Sequence, residues 1–457
     1  MPLTLASIAA ITGGRLIGGD PDAPVHGFDF DSRVQTPGAG FVALVDGRDG
    51  HDFVAAALAA GAAVALVARV PEGVRGPCVV VEDPQRALGT LAAAVRAGFA
   101  DTRVVAVTGS AGKTSTKELL AAALRPVRRV HANAASHNNE FGLPVTILGA
   151  LPDTEVLILE MGERFAGDLE YLCGIARPEI GIVTHVGLAH AEHLGGREGT
   201  VEVLAEMVSA LPPSGLAVLN ADCDATPDLR ARSTAPVLTV GRAAGADVRI
   251  ERLTVDDGLR AHFDLATPWG RIEDVRLTVR GEHQAANAAQ AATVALHLGV
   301  PGSAVAAGLG AARGAAWRME LARSPRGITV LNDAYNASPG AMESALHALV
   351  RLPAEHRIAV LGAMLELGDH SEAEHRRLGA LAAGLGLDTI VVVPTDGAGP
   401  LAEAAEAAGG NVVRVPDAAA AATWVTDHAA AGDAVLVKAS RRVGLERVAA
   451  ALLEVAA

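Results

Sequence analysis

The stretch Val104-Val105-Ala106-Val107-Thr108-Gly109-Ser110-Ala111-Gly112-Lys113-Thr114-Ser115-Thr116 constrains this chain more than any other. Four apolar, mostly β-branched residues run into a small-residue loop and then into Lys-Thr-Ser-Thr-Lys-Glu-Leu-Leu, which reads as buried strand, tight loop and helix start. Such a loop holds a phosphate. Gly109 and Gly112 let the backbone approach closely, while the amides of Ser110, Ala111, Ser115 and their neighbours at the helix N-terminus point at the anion. Lys113 carries a charge that reaches the β- and γ-phosphates, and Thr114 offers a hydroxyl for Mg²⁺. The spacing is shorter than the full Walker pattern, with valine at 107 where a glycine is wanted. An ordinary Gly-rich turn also fits, but a lysine followed by three hydroxyl residues has no packing reason to sit there. Alone, the loop points to ATP or GTP.

With 457 residues, half of them hydrophobic, the chain is long enough for about three domains of ~150 residues. The expected class is α/β: a small N-terminal α/β unit (1–100), a central P-loop parallel-sheet domain (101–312) and a C-terminal Rossmann-like domain (313–457) of alternating strands and helices. A net charge of −14, with no basic stripe or basic-aromatic interleaving, disfavours nucleic acid as a partner. Three cysteines, Cys78, Cys173 and Cys223, form no close pair and suit a reducing, cytoplasmic setting. No apolar run approaches the ~20 residues of a membrane span. Residues 1–11 lack the basic start and cleavage site of a signal peptide and read as a short helix ending at Gly13-Gly14.

Ligands of an open α/β sheet bind beyond the carboxyl ends of its strands. The strand Val156–Leu159 ends in Glu160, which therefore emerges on the rim of the phosphate loop as a candidate Mg²⁺ ligand. His190, shortly after the strand Ile180–Thr184, is a second candidate on that rim. Asn138 and Asn139, before Gly142 and Pro144, fit either a turn or recognition of sugar or amide groups. Asp31-Ser32-Arg33 fits a turn with a surface ion pair. With the loop Asp46-Gly47-Arg48-Asp49-Gly50-His51, it also fits a unit that presents hydroxyl, guanidinium and amides to a diphosphate.

These stretches together resemble the Mur ligase family and, within it, its MurF type. The phosphate loop is common to the family. The type is signalled by Asp31-Ser32-Arg33 with Gly50-His51-Asp52-Phe53, by Asn138-Asn139-Glu140 with Gly142 and Pro144, and by Asn332-Asp333-Ala334-Tyr335-Asn336-Ala337. The resemblance implies a cytoplasmic, monomeric peptide ligase. ATP and Mg²⁺ convert a substrate carboxylate to an acyl phosphate, which an amine then attacks. The implied substrates are a UDP-sugar tripeptide and the dipeptide amine D-Ala-D-Ala, used in peptidoglycan precursor synthesis. It also implies roles: Lys113, Glu160 and His190 in catalysis; Thr114, Glu160 and His190 at metal; His283 and Asn287 on the adenine side; Arg318 and Asp333 reaching the nucleotide from the third domain. Asp31, Ser32, Arg33, Asn138, Asn139, Tyr335 and Asn336 are then substrate-binding.

The chain also departs from the family pattern. Where the family carries a carbamylated lysine bridging the metals, alignment back from Leu211-Pro212 gives Leu204, so a leucine is expected to face the second metal. Ala363 stands for an aspartate near the nucleotide or acceptor side. Those two departures leave open a paralogue acting on another carboxylate and amine, and Leu204 alone leaves open a nucleotide-binding protein without ligase activity.

Overall fold

The computed structural model describes residues 3–134, 136–188 and 190–454. Met1 and Pro2 of the expected first helix lie outside them, as do Ala135, Ala189 and residues 455–457. The helix runs Leu5–Thr12: Thr4 and Ser7 cap each other's backbone at its start, and Gly13, at φ +65°, stops it. It packs on a five-stranded sheet ordered Arg15–Ile17, Cys78–Val80, Val64–Val67, Gly40–Val42, Phe28–Asp29, parallel except for the first strand.

The central sheet has nine strands. The phosphate-loop strand Arg103–Thr108 lies between Val156–Glu160 and Ile180–Val183, parallel to both, and its Val107 is level with Glu160. All three strands are almost entirely apolar and buried, the pattern of a sheet covered on both faces. One face packs the helices Lys113–Leu124, Gln284–His297 and Gly302–Ala311. On the other face, Leu88 and Leu91 of the helix Pro84–Ala97 join Leu143, Ile147, Leu169 and Leu172 in one core. The first unit is therefore docked by shared apolar burial, about 2 kcal/mol for each leucine fully removed from water. Beyond Leu216–Asn220 and Val237–Gly241, the strands Val248–Val255, Arg260–Thr267 and Gly270–Arg280 finish the sheet as antiparallel hairpins.

The third sheet is ordered Glu320–Arg323, Thr329–Asn332, Ala434–Lys438, Arg357–Leu361, Thr389–Val392, Val412–Arg414, all parallel except the first pair. The last strand in sequence sits between the second and the third, which creates a switch point where side chains at the strands' carboxyl ends converge. Asp333, Glu366 and Lys438 come from those ends. Among the described residues, no helix is long and apolar enough to cross a membrane.

Candidate functional site

A cleft of about 2120 Å³ opens between the carboxyl ends of the central and third sheets, with Val45 and Asp46 of the first unit at its edge. The phosphate loop forms its floor. Gly109 has φ +128°, and a β-carbon there would lie 2.3 Å from Thr184 Oγ1; Gly112 has φ +85°, and a β-carbon would lie 2.6 Å from Asn287 Oδ1. Both positions thus require glycine for backbone and space alike. Thr184 Oγ1 donates to the Ala111 carbonyl at 2.5 Å, and Ser110 N–H donates to the His185 carbonyl at 2.8 Å. Ser115 Oγ accepts from Gln284 Nε2 at 3.4 Å, and Asn287 Nδ2 donates to Gln284 Oε1 at 3.0 Å. The start of the helix Gln284–His297 is thereby tied to the loop, with the exposed His283 as its N-terminal neighbour.

Lys113 and Thr114 occupy the first turn of Lys113–Leu124, where free amides and the helix dipole favour an anion. Lys113 Nζ donates to the Gly109 carbonyl at 2.6 Å and lies 3.2 and 3.1 Å from the two carboxylate oxygens of Glu163. Thr114 Oγ1 is 3.2 Å from Glu160 Oε1, which also accepts from Asn138 Nδ2 at 2.8 Å. Glu160 is almost wholly buried, and among the described residues its Oε2 has no hydrogen-bond partner, with the Lys117 ammonium 3.8 Å away. A buried hydroxyl and a carboxylate beside a phosphate loop fit a hard cation such as Mg²⁺, which takes one or two carboxylates plus substrate phosphates. Among the described residues, no group of three or more His, Cys, Asp or Glu side chains is arranged to hold a metal by itself.

From the third sheet, Arg318 reaches across the cleft. Its Nη2 donates to Thr114 Oγ1 at 3.1 Å while its guanidinium lies 4.1 Å from the centre of the Tyr335 ring. Asp333 accepts from Met319 N–H at 2.9 Å and from Lys438 Nζ at 2.5 Å, and Lys438 also donates to the Asn336 carbonyl at 3.0 Å. Asp333, Tyr335 and Asn336 all line the cleft. His190 lines it too, with its Nδ1 hydrogen-bonded to Glu366 of the third unit, whose other oxygen accepts from Arg164 Nη2 at 3.0 Å.

Asp31, Ser32, Arg33, His51, Leu204 and Ala363 do not line the cleft. Asp31 caps the turn Ser32–Val34, and its carboxylate binds the Arg33 side chain, which is 83% exposed. Those hydrogen bonds hold the Asp31 carboxyl down at about 2. The triplet thus forms a turn with a surface ion pair. His51 is equally structural: Nδ1 lies 2.6 Å from Asp49 Oδ1 and Nε2 accepts from Ala68 N–H at 2.9 Å. Asn139 lines the cleft, but its Oδ1 accepts from the amides of Phe141 and Gly142 and starts the helix Gly142–Leu148. Leu204, expected to face a second metal, is fully buried in the apolar core with Val203, Met207 and Val208 and is not among the cleft-lining residues. It lies on the same helical stripe as Thr200 and Val208, four residues either side, which faces the core. Ala363 is likewise fully buried away from the lining.

Family models match two regions: the Mur ligase middle domain over residues 107–295 and the Mur ligase glutamate ligase domain over residues 317–441. The chain belongs to the Mur ligase family. Among full-length relatives, a UDP-N-acetylmuramoyl-tripeptide–D-alanyl-D-alanine ligase of Mycobacterium tuberculosis (strain ATCC 25618 / H37Rv) is 40% identical over 99% of this chain and 98% of its own. The MurF structure from Acinetobacter baumannii superposes with a TM-score of 0.88 at 31% identity, covering 100% and 99% of the two chains. MurF from Thermotoga maritima in complex with ADP gives 0.79 at 30% identity, covering 94% and 97%. Within this Mur ligase the sequence alone assigns no role to Glu163, Glu366 or Lys438. Glu163 had a signal, standing three residues after Glu160 beyond the same strand. Lys438 closes an apolar strand, where a lone lysine is conspicuous. Glu366 shows its partners only once the third unit is folded against the second.

Proposed function

We propose that this protein is an ATP-dependent, ADP-forming amide ligase that joins D-alanyl-D-alanine to UDP-N-acetylmuramoyl-tripeptide in peptidoglycan precursor synthesis. The full-length likeness to ligases named for that reaction supports the substrates. The observation that carries the chemistry is the meeting of Arg318 and Thr114 at 3.1 Å, which joins the third unit to the phosphate loop in one site. We also propose that it acts as a cytoplasmic monomer and that the first unit binds the UDP end.

In the reaction, an oxygen of the tripeptide's terminal carboxylate attacks the γ-phosphorus of ATP, and the bond to the bridging oxygen breaks as ADP leaves. The uncharged amine of D-Ala-D-Ala then attacks the acyl carbon, and the tetrahedral intermediate loses a proton from nitrogen to solvent and expels phosphate, which keeps the substrate's oxygen. Such chemistry is mostly positioning and charge neutralisation. Lys113, the helix N-terminus and Arg318 offset negative charge on the transferring phosphoryl group. Thr114 and Glu160 would hold Mg²⁺, which would supply positive charge against the phosphates. Asn138 holds the Glu160 carboxylate in place, and Asn287 buttresses the loop at Gly112. Asp333 and Lys438 fix the segment that carries Tyr335 and Asn336. Purified protein given ATP, Mg²⁺ and both substrates should release phosphate at a rate that depends on each substrate. Equal release without the dipeptide would overturn the assignment.

A further inference from the structure

Glu163 is the least expected charge in the cleft. Its side chain has no solvent exposure, yet both carboxylate oxygens are committed: they face Lys113 Nζ at 3.2 and 3.1 Å, and Oε2 also accepts from Thr108 Oγ1 at 3.3 Å. An ammonium has three hydrogens to donate. The third goes to the Gly109 carbonyl at 2.6 Å, so the lysine that is to grip a phosphate is already saturated. Burial makes the pairing strong, because an unpaired charge there costs several kcal/mol. The carboxylate also has the shape of the expected ligand: two oxygens presented to one ammonium, as a phosphate would present them.

We propose that Glu163 is the resting counter-ion of Lys113, a positioning residue that mimics the phosphate in the nucleotide-free protein and must give up at least part of its contact when ATP binds. The proposal rests on the reading of the phosphate loop as the ATP site. Two consequences follow. The loop is held ready, with Lys113 already turned over Gly109. Nucleotide affinity is also set below what the loop alone would provide, because a charge-assisted contact is exchanged and not simply gained.

Calorimetric titration with ADP, without and with Mg²⁺, tests this on the full-length protein. Glu163→Gln keeps the size and an acceptor oxygen but removes the charge, and should bind ADP about tenfold more tightly. Glu163→Asp keeps the charge and should stay within about threefold of wild type. Equal or weaker binding by Glu163→Gln, or a gain of the same size in Glu163→Asp, overturns the proposal, since a role in packing would respond to length and not to charge. Wild-type protein that binds no ADP would instead overturn the ATP-site reading. A thermal-unfolding cycle serves as the second measurement, and the only one needed if Glu163→Gln alone fails to fold. Lys113→Met should lower the melting temperature by stranding a buried carboxylate, and adding Glu163→Gln should restore it. A double variant no more stable than Lys113→Met contradicts the pairing.

Discussion

Replacing Gly112 by alanine separates backbone strain from damage to the site, because Gly167 offers a matched control. Both glycines precede a helix with a left-handed backbone, φ +85° for Gly112 and +92° for Gly167. Alanine in that region costs roughly 1–2 kcal/mol at either position. The surroundings differ. Among the described residues, a β-carbon at Gly167 meets nothing within 4 Å, whereas at Gly112 it lies 2.6 Å from Asn287 Oδ1 and 3.3 Å from Asn287 Cγ. The Asn287 amide must therefore swing away from Gln284, breaking the 3.0 Å bond that ties the helix Gln284–His297 to the loop, at a further cost of about 1 kcal/mol. Loop amides displaced by some tenths of an ångström no longer converge on one anion. Denaturant unfolding should show a loss of about 1–2 kcal/mol in Gly167→Ala and about 2–3 kcal/mol in Gly112→Ala. Calorimetry should show unchanged ADP affinity for Gly167→Ala and a loss of about tenfold or more for Gly112→Ala. Wild-type ADP affinity in Gly112→Ala would refute the placement of the nucleotide on this loop.

Other outcomes follow from the same geometry. Glu160→Gln should retain ADP binding but lower kcat by about a hundredfold or more, with the Mg²⁺ concentration at half-maximal rate shifted upward; an unchanged Mg²⁺ dependence would count against the Thr114–Glu160 pair as the cation site. Glu366→Gln weakens the bridge from the third unit to His190 and Arg164, so small-angle scattering of the nucleotide-free protein should show a larger radius of gyration, and an unchanged radius would show that the clasp does not hold the cleft closed. Asp31 is held at about 2 by Arg33, below its ordinary value. Its contribution to stability is therefore present above the unfolded carboxyl range near 4 and lost as pH falls toward 2; Arg33→Ala should abolish that acid-side component. Because Leu204 is a buried apolar residue, ligase activity should not respond to added bicarbonate, and stimulation would reveal a carbamylated lysine elsewhere.

Much of the fold was legible because its strands are continuous apolar runs. Val104–Val107, Val156–Leu159 and Ala434–Val437 are short, largely β-branched runs that suit a sheet covered on both faces, and the first two share a rim because they are parallel. Short or half-exposed strands left weaker traces: Val130–Ala132 and Glu320–Arg323 are edge strands whose burial is only partial. Within the site, the phosphate loop, Glu160 and Asn138 were readable because each sits within a few residues of a strand end or glycine turn. The clasp of Glu366 on His190 was not, since 176 residues separate the partners. Neither was the true setting of Leu204. Alignment gives its place on a helix, but the packing of that helix decides which stripe meets the core.

The most direct measurement uses the tripeptide substrate labelled with ¹⁸O in its terminal carboxylate, with ATP, Mg²⁺ and D-Ala-D-Ala, followed by mass spectrometry of both products. The account predicts an amide-linked pentapeptide product and one ¹⁸O transferred to each phosphate released. Amide formation with unlabelled phosphate, or labelled substrate left unjoined while ATP is consumed at the same rate, would contradict it.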